Sequence, residues 1–202
     1  MIVGPSCDSI AFQLLKFYEE AVIITDSYDS LMQIKLQHKN EDKIKCKMMD
    51  YAHTDFEPKY FDLIYAQASL NIPNRKEIIK EIKRILSPDG LICNGEIVSI
   101  KEPVAAFVKD IWARSGLEPL SSSKIKHYFE EKGFTIIAQR DLSITLEDFY
   151  QKIRYKITKA NKEEKKTYKK IYSAVKHEAD AYLKLGGDKF IGFTTFIMRT
   201  AN

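Results

Sequence analysis

Residues 61–92 constrain the fold more than any other stretch of this chain. Phe61-Asp62-Leu63-Ile64-Tyr65 is an apolar run broken by a single Asp, of the length of a buried strand. Ile78, Ile79, Ile82, Ile85 and Leu86 then recur at the spacing of one helix face. Ser87-Pro88-Asp89-Gly90 reads as a turn, and Leu91-Ile92 opens a second apolar run. Strand, helix, turn and strand in this order make a βαβ unit, whose two strands are parallel. Sheets of this kind hold their ligands at the carboxyl ends of the strands. The chain is therefore α/β, and its chemistry belongs at one end of a sheet.

The alternation extends in both directions. Met1 to Gly4 reads as the tail of a buried strand that stops at Gly4-Pro5. Ile10, Leu14, Phe17 and Tyr18 mark a helix, and Ala21–Thr25 is a β-prone run fit for burial on both faces. Leu31 and Ile34 mark another helix, and Lys45–Met49 a third strand before the one over Phe61–Ala66. Further on, a strand is expected over Leu91–Ile100 and a helix over Pro103–Arg114, with Pro in its first turn. A helix carrying Ile125, Tyr128 and Phe129 starts from Ser122 or Ser123 and ends at Gly133. Phe134–Ala138 and Phe190–Met198 complete a set of seven strands.

Between those last two strands, residues 146–185 carry two apolar stripes at helical spacing. One runs through Phe149, Ile153, Ile157 and Ala160, the other through Ile171, Val175, Ala179 and Tyr182, so two helices broken near Asn161 are expected. The organisation read from this is one domain over residues 1–145 and 186–202, with residues 146–185 as a helical insert. Lysines crowd the insert, but Glu147, Asp148, Glu163 and Glu164 interrupt them, which suits a solvated face better than a phosphate-binding one.

Composition excludes several classes. With 202 residues, 45% of them apolar and 30% charged, the chain can bury a real core. A net charge of +4 does not demand an acidic partner. No apolar run approaches the ~20 residues that span a bilayer, and no secretory leader is visible. Cys7, Cys46 and Cys93 are scattered and odd in number, which argues against disulfides or a zinc site and for a reducing, cytoplasmic setting. His38, His53, His127 and His177 show no metal-ligand spacing, so no metal is expected.

Two segments, Phe61-Asp62-Leu63-Ile64-Tyr65-Ala66-Gln67-Ala68-Ser69-Leu70-Asn71 and Lys83-Arg84-Ile85-Leu86-Ser87-Pro88-Asp89-Gly90, carry a resemblance in their order and spacing. Together they resemble the class I S-adenosylmethionine-dependent methyltransferases, in their small-molecule, type 11-like branch. The resemblance implies a Rossmann-like, doubly wound, mostly parallel seven-stranded sheet, with the helical insert as a lid. It implies S-adenosylmethionine as cofactor, S-adenosylhomocysteine as product and a small-molecule acceptor. The family's glycine loop matches Ile2-Val3-Gly4-Pro5-Ser6-Cys7-Asp8, where Gly4 keeps the first glycine. Ser6 and Asp8 hold the places of the other two, and Ile2 the place of an acidic residue.

The resemblance further assigns Asp26 to the ribose hydroxyls, a task for a group that accepts two hydrogen bonds at once. Asp26 or Ser27 as a helix cap is the competing assignment. Asp50 and Tyr51 match the adenine side, and Gln67 completes the implied cofactor set of Gly4, Ser6, Asp26, Ser27, Asp50, Tyr51 and Gln67. Asn71 falls on the acceptor side. No residue is singled out as catalytic, since methyl transfer can run on proximity and desolvation. A nucleic-acid substrate is disfavoured, because Gln67-Ala68-Ser69-Leu70 stands where an Asn-Pro-Pro-Tyr-like motif would be. The family's N-terminal helical segment has no counterpart before Met1, which leaves three expectations: acceptor binding is remodelled, a second copy or a partner chain covers that side, or the start is truncated. The altered glycine loop leaves a second function open: a methyltransferase-like subunit that binds or scaffolds without catalysis.

Overall fold

The structure, a computed structural model, describes residues 1–4, 9–37, 41–167 and 169–201, and of residues 164, 165 and 167 the backbone only. In chain order the elements are β1 (Ile2–Val3), α1 (Ser9–Leu14), β2 (Ala21–Thr25), α2 (Tyr28–Gln37), β3 (Ile44–Met48), β4 (Phe61–Gln67), α3 (Arg75–Ile85) and β5 (Leu86–Ser99). There follow α4 (Ala106–Arg114), β6 (Leu120–Ser121), α5 (Ile125–Glu131), β7 (Phe134–Asp141), α6 (Thr145–Lys159), α7 (Lys162–Thr167), α8 (Lys169–Lys184) and β8 (Ile191–Thr200). Helices thus separate β7 from β8, with the expected break at Ala160 and Asn161.

The sheet has the order β3-β2-β1-β4-β5-β8-β7, and the short β6 pairs with β5 off this path. It is an α/β fold with eight strands rather than seven, the extra one being β6. Strands β1 to β5 form parallel pairs, with Ile2 opposite both Ile23 and Tyr65. The chain winds from β1 out to β3, returns to β4 on the other flank of β1, and continues outward. Strand order therefore reverses between β1 and β4, which is where a doubly wound sheet opens a crevice.

The central strands form because their side chains are apolar on both faces. All five residues of β2 are buried, with Ile23 and Ile24 fully so. Ile78, Ile79, Ile82 and Ile85 give α3 one continuous buried face. The expected turn at Ser87–Gly90 is absorbed into β5, because Leu86 already pairs with Phe61 while the next pair is Leu63 with Leu91. The surplus residues form a bulge. Gly90 makes it possible, since a Cβ there would stand 2.7 Å from Leu86 Cδ1.

By packing, the chain divides into two units, one of residues 1–96, 126–139 and 195 onward, the other of residues 97–125 and 140–194. In the first, Ile2, Ala11, Ala21, Ile23, Ile34 and Ile44 share a core. In the second, Val108, Ile111, Trp112, Leu146, Tyr150 and Tyr182 share another. There the Tyr150 and Tyr182 rings lie 4.5 Å apart, and the Tyr150 hydroxyl donates to Glu178 Oε1 at 2.8 Å.

Other sequence expectations change too, and Ile171 of the second apolar stripe is exposed. Phe17 is 81% exposed, because α1 ends at Leu14. Phe149 is exposed, and α6 buries Leu146 and Tyr150 instead. The helix expected from Pro103 begins at Ala106. Tyr168, which falls at the same helical spacing as Ile171 and Val175, lies outside the described residues. No helix among the described residues is long and apolar enough to cross a membrane.

Candidate active site at the strand switch point

All the residues of this site belong to the first unit. Gly4 ends β1 at φ 117°, a conformation open to glycine and strained for other residues. Ser6 and Asp8 lie outside the described residues. Asp26 and Ser27 follow β2 directly. Ser27 caps α2: its Oγ accepts from the Ser30 N–H at 3.3 Å and its carbonyl from the Leu31 N–H at 2.9 Å. The Ser27 N–H in turn donates to Thr25 Oγ1 at 3.2 Å. With that task taken, Asp26 projects exposed from the carboxyl end of β2.

Asp26 meets Tyr51, whose hydroxyl donates to Asp26 Oδ1 at 3.4 Å. Tyr51 is 8% exposed, and burial, followed by the nearby Asp26 charge, pushes its hydroxyl up to about 12. It therefore stays protonated and acts as a donor across the physiological range. Asp50 turns its carboxylate inward on its own loop: Oδ1 accepts from the Ala52 N–H at 2.8 Å, and Oδ2 lies 3.3 Å from His53 Nδ1. The Ala52 N–H, and after it His53, holds this carboxyl below its ordinary range. Asp26, Asp50 and Tyr51 line a cavity of about 400 Å³. Met48 and Met49 supply apolar wall from the β3 side, and Ile72 and Ile78 from the far side.

The loop after β4 carries the remaining candidates. Gln67 is exposed at the end of the strand and accepts from the Tyr65 hydroxyl at 2.7 Å. Ala68 takes φ 52°, an uncommon backbone for a residue with a Cβ, and its N–H donates to the Gly95 carbonyl at 2.7 Å. Ser69 Oγ bridges the carbonyls of Val3 and Gln67, each at 3.0 Å, tying this loop to the end of β1. Asn71 is 1% exposed. The structure thus gathers Asp26, Asp50 and Tyr51 around one cavity, while Gly4, Ser27, Gln67 and Asn71 stand outside its lining.

Sequence reasoning passed over Met48, Met49 and Ile72, and above all Asn94 and Glu96 on β5. These two are 3% and 0% exposed. A carboxylate and an amide two residues apart in an apolar strand was the available signal. Among the described residues no three His, Cys, Asp or Glu side chains are placed to hold a metal ion.

This arrangement can be set against known proteins. Residues 3–94 match the family of methyltransferase domains. Among curated proteins none matches the chain by sequence. Among solved structures, phosphoethanolamine N-methyltransferase 2 of Haemonchus contortus superposes with a TM-score of 0.80 at 15% identity. That match covers 100% of this chain and 48% of the other, which was solved with phosphomonomethylethanolamine and S-adenosylhomocysteine. Geranyl diphosphate C-methyltransferase of Streptomyces coelicolor, solved with Mg2+, geranyl diphosphate and S-adenosylhomocysteine, gives 0.74 at 12% identity over 99% and 72% of the two chains. A 4+2 cyclase gives 0.76 at 17% identity over 99% and 73%. At these identities the likeness establishes the fold. The cyclase is a reminder that this fold carries more than one chemistry.

Proposed function

We propose that this methyltransferase domain binds S-adenosylmethionine and transfers its methyl group to a small-molecule acceptor. The observation that carries the reading is the cavity where Asp26, Asp50 and Tyr51 converge beside the switch point. Asp26 offers a carboxylate with lone pairs to spare for two ribose hydroxyls, and Tyr51 steadies it from one side. Methionine and isoleucine walls suit the faces of an adenine ring, and the remaining lone pairs of Asp50 suit its amino group. When bound, the cofactor supplies an electrophilic methyl group. The chain's own part is to bind, orient and exclude water, so no general base is assigned. The reading extends to a homodimer or a partner chain, and to a reducing cytoplasmic setting. Light scattering at high concentration tests the homodimer.

The competing reading, a binding or scaffolding subunit without catalysis, rests on Ile2, Ser6 and Asp8 at places where an acidic residue and two glycines are expected. Calorimetry separates the two. The wild-type chain is expected to bind S-adenosylmethionine and S-adenosylhomocysteine, and Ser6→Gly with Asp8→Gly to tighten both. If neither protein binds either compound, the scaffolding reading replaces the enzymatic one.

A further inference from the structure

We propose that Glu96 is the positioning residue of the acceptor-side loop, holding Leu70 and, through it, Asn71 in place. The proposal rests on the reading of Asn71 as an acceptor-side residue. It starts from how the loop is held. The Leu70 N–H donates to Glu96 Oε1 at 3.2 Å, and the Leu70 carbonyl accepts from Arg75 Nε. Ala68 is anchored to β5 and Ser69 to β1. Each residue before Asn71 is thus fixed by a different neighbour, and among these anchors Glu96 is the one whose charge can change.

A carboxyl group is an expensive acceptor at this depth. Glu96 is 0% exposed, and its Oε2 has no hydrogen-bond partner among the described residues. Neither atom of the Asn94 amide has one. Asn94 and Glu96 are two residues apart on one strand and so face the same side, where a single water or a small rotation would satisfy both. A loop that needed only an acceptor for one N–H could have used a neutral side chain.

Burial keeps the proton on Glu96 and pushes its carboxyl up to about 8; the Leu70 N–H and the Arg75 charge pull the other way. Arg75, on α3, is the charged group acting on it, and the guanidinium lies 5.5 Å from the Tyr128 ring of α5. Ionised Glu96 draws on Arg75 as its counter-charge, and Arg75 is also what holds the Leu70 carbonyl. One proton therefore couples both grips on Leu70: the ionised carboxylate is the stronger acceptor for its N–H and competes with its carbonyl for Arg75.

The test follows the amides of Leu70 and Asn71 by NMR in the full chain between pH 6 and 10. Wild type is expected to show an inflection near pH 8 in the Leu70 amide shift. Glu96→Gln, which mimics the neutral form, is expected to remove the inflection and keep both amides protected throughout. Glu96→Ala is expected to speed their hydrogen exchange at pH 6 at least ~10-fold after correction for intrinsic rates, the scale of one lost hydrogen bond. Identical pH profiles in wild type and Glu96→Gln overturn the proposal, and that comparison stands even if the alanine variant does not fold. Calorimetry with S-adenosylhomocysteine on the same samples keeps the two readings apart. A Leu70 titration without any cofactor binding upholds the positioning role and rejects the methyltransferase reading instead.

Discussion

The two ends of the parallel strands in the first unit are hollowed differently. At the amino ends a groove of about 490 Å³ is bordered by Met1, Leu14, Phe17, Tyr18 and Tyr60. At the carboxyl ends the cavity is smaller, about 400 Å³. Volume would choose the first; the state of the polar groups chooses the second. Two of the acids at the amino end are engaged locally: Glu20 pairs with Lys45 at 2.5 Å, and Asp62 accepts from Ser87 Oγ at 3.3 Å. At the carboxyl end Asp26 faces a donor that cannot neutralise it, with Asp50 on the same cavity. A binding site is marked by polar groups that converge and remain available, more than by room.

Each end also buries a group that burial shifts into the range between pH 4.5 and 8, and the two respond to pH in opposite senses, which gives the largest expected effect. The Met1 amino group donates to the Leu63 carbonyl at 2.7 Å, and burial lowers it from 8.0 to about 5. Between those values the unfolded chain takes a proton that the folded one refuses. Its contribution is complete above pH 8 and is lost as pH falls through about 5. Glu96 is raised from 4.5 to about 8, so its contribution is complete below 4.5 and is lost as pH rises through about 8. Across the shared window the slopes oppose. Denaturant unfolding should therefore be nearly level for wild type. Acetylation of the Met1 amine should unmask a decline with rising pH, and Glu96→Gln a rise, each on the order of a few kcal/mol. Modified proteins that both track the wild type would break the comparison.

At the carboxyl end alone, Asp26→Ala is expected to weaken S-adenosylmethionine binding by ~1.5–3 kcal/mol, the range for hydrogen bonds to a charged group. Because Asp26 is exposed, the unfolding free energy should move by no more than ~0.5 kcal/mol. Tyr51→Phe keeps the packing and removes one long hydrogen bond, so its effect on affinity should be smaller, about 0.5–1.5 kcal/mol. Equal affinities in all three proteins, measured by calorimetry, would take Asp26 out of the site.

How much of this was legible follows from what each residue is asked to do. Ala21–Thr25 was readable residue for residue, because burial on both faces leaves an uninterrupted β-prone run. Periodicity misled at Phe17 and Phe149, since it counts positions without knowing where a helix stops or what lies opposite. Ser87–Gly90 reads as a turn in isolation; pairing of Leu86 with Phe61 makes it a bulge. In the site, Asp26 and Ser27 both had the chemistry of a cap, and only the Ser30 N–H on Ser27 separates cap from candidate ligand group. Convergence of Asp26 with Asp50 and Tyr51 depends on the parallel register of β2 and β3, in which Thr25 stands opposite Met48. Glu96 escaped notice because an apolar frame around it made the strand readable without it.

The smallest expected effect tests the comparison from the other side. Phe17 borders the larger groove and is 81% exposed, so Phe17→Ser removes little buried area. Surface changes of this kind stay within about 0.5 kcal/mol in stability. If the amino-end groove has no part in cofactor binding, affinity for S-adenosylhomocysteine should stay within about twofold, well under the 1.4 kcal/mol that a tenfold change requires. Ile72→Ser is the matched control at the carboxyl end, where Ile72 is half-buried on the cavity wall. Loss of that apolar contact should cost about 1 kcal/mol of affinity. A stronger effect from Phe17→Ser than from Ile72→Ser would move the ligand to the amino ends of the strands. It would also contradict the rule that doubly wound sheets bind at their switch points.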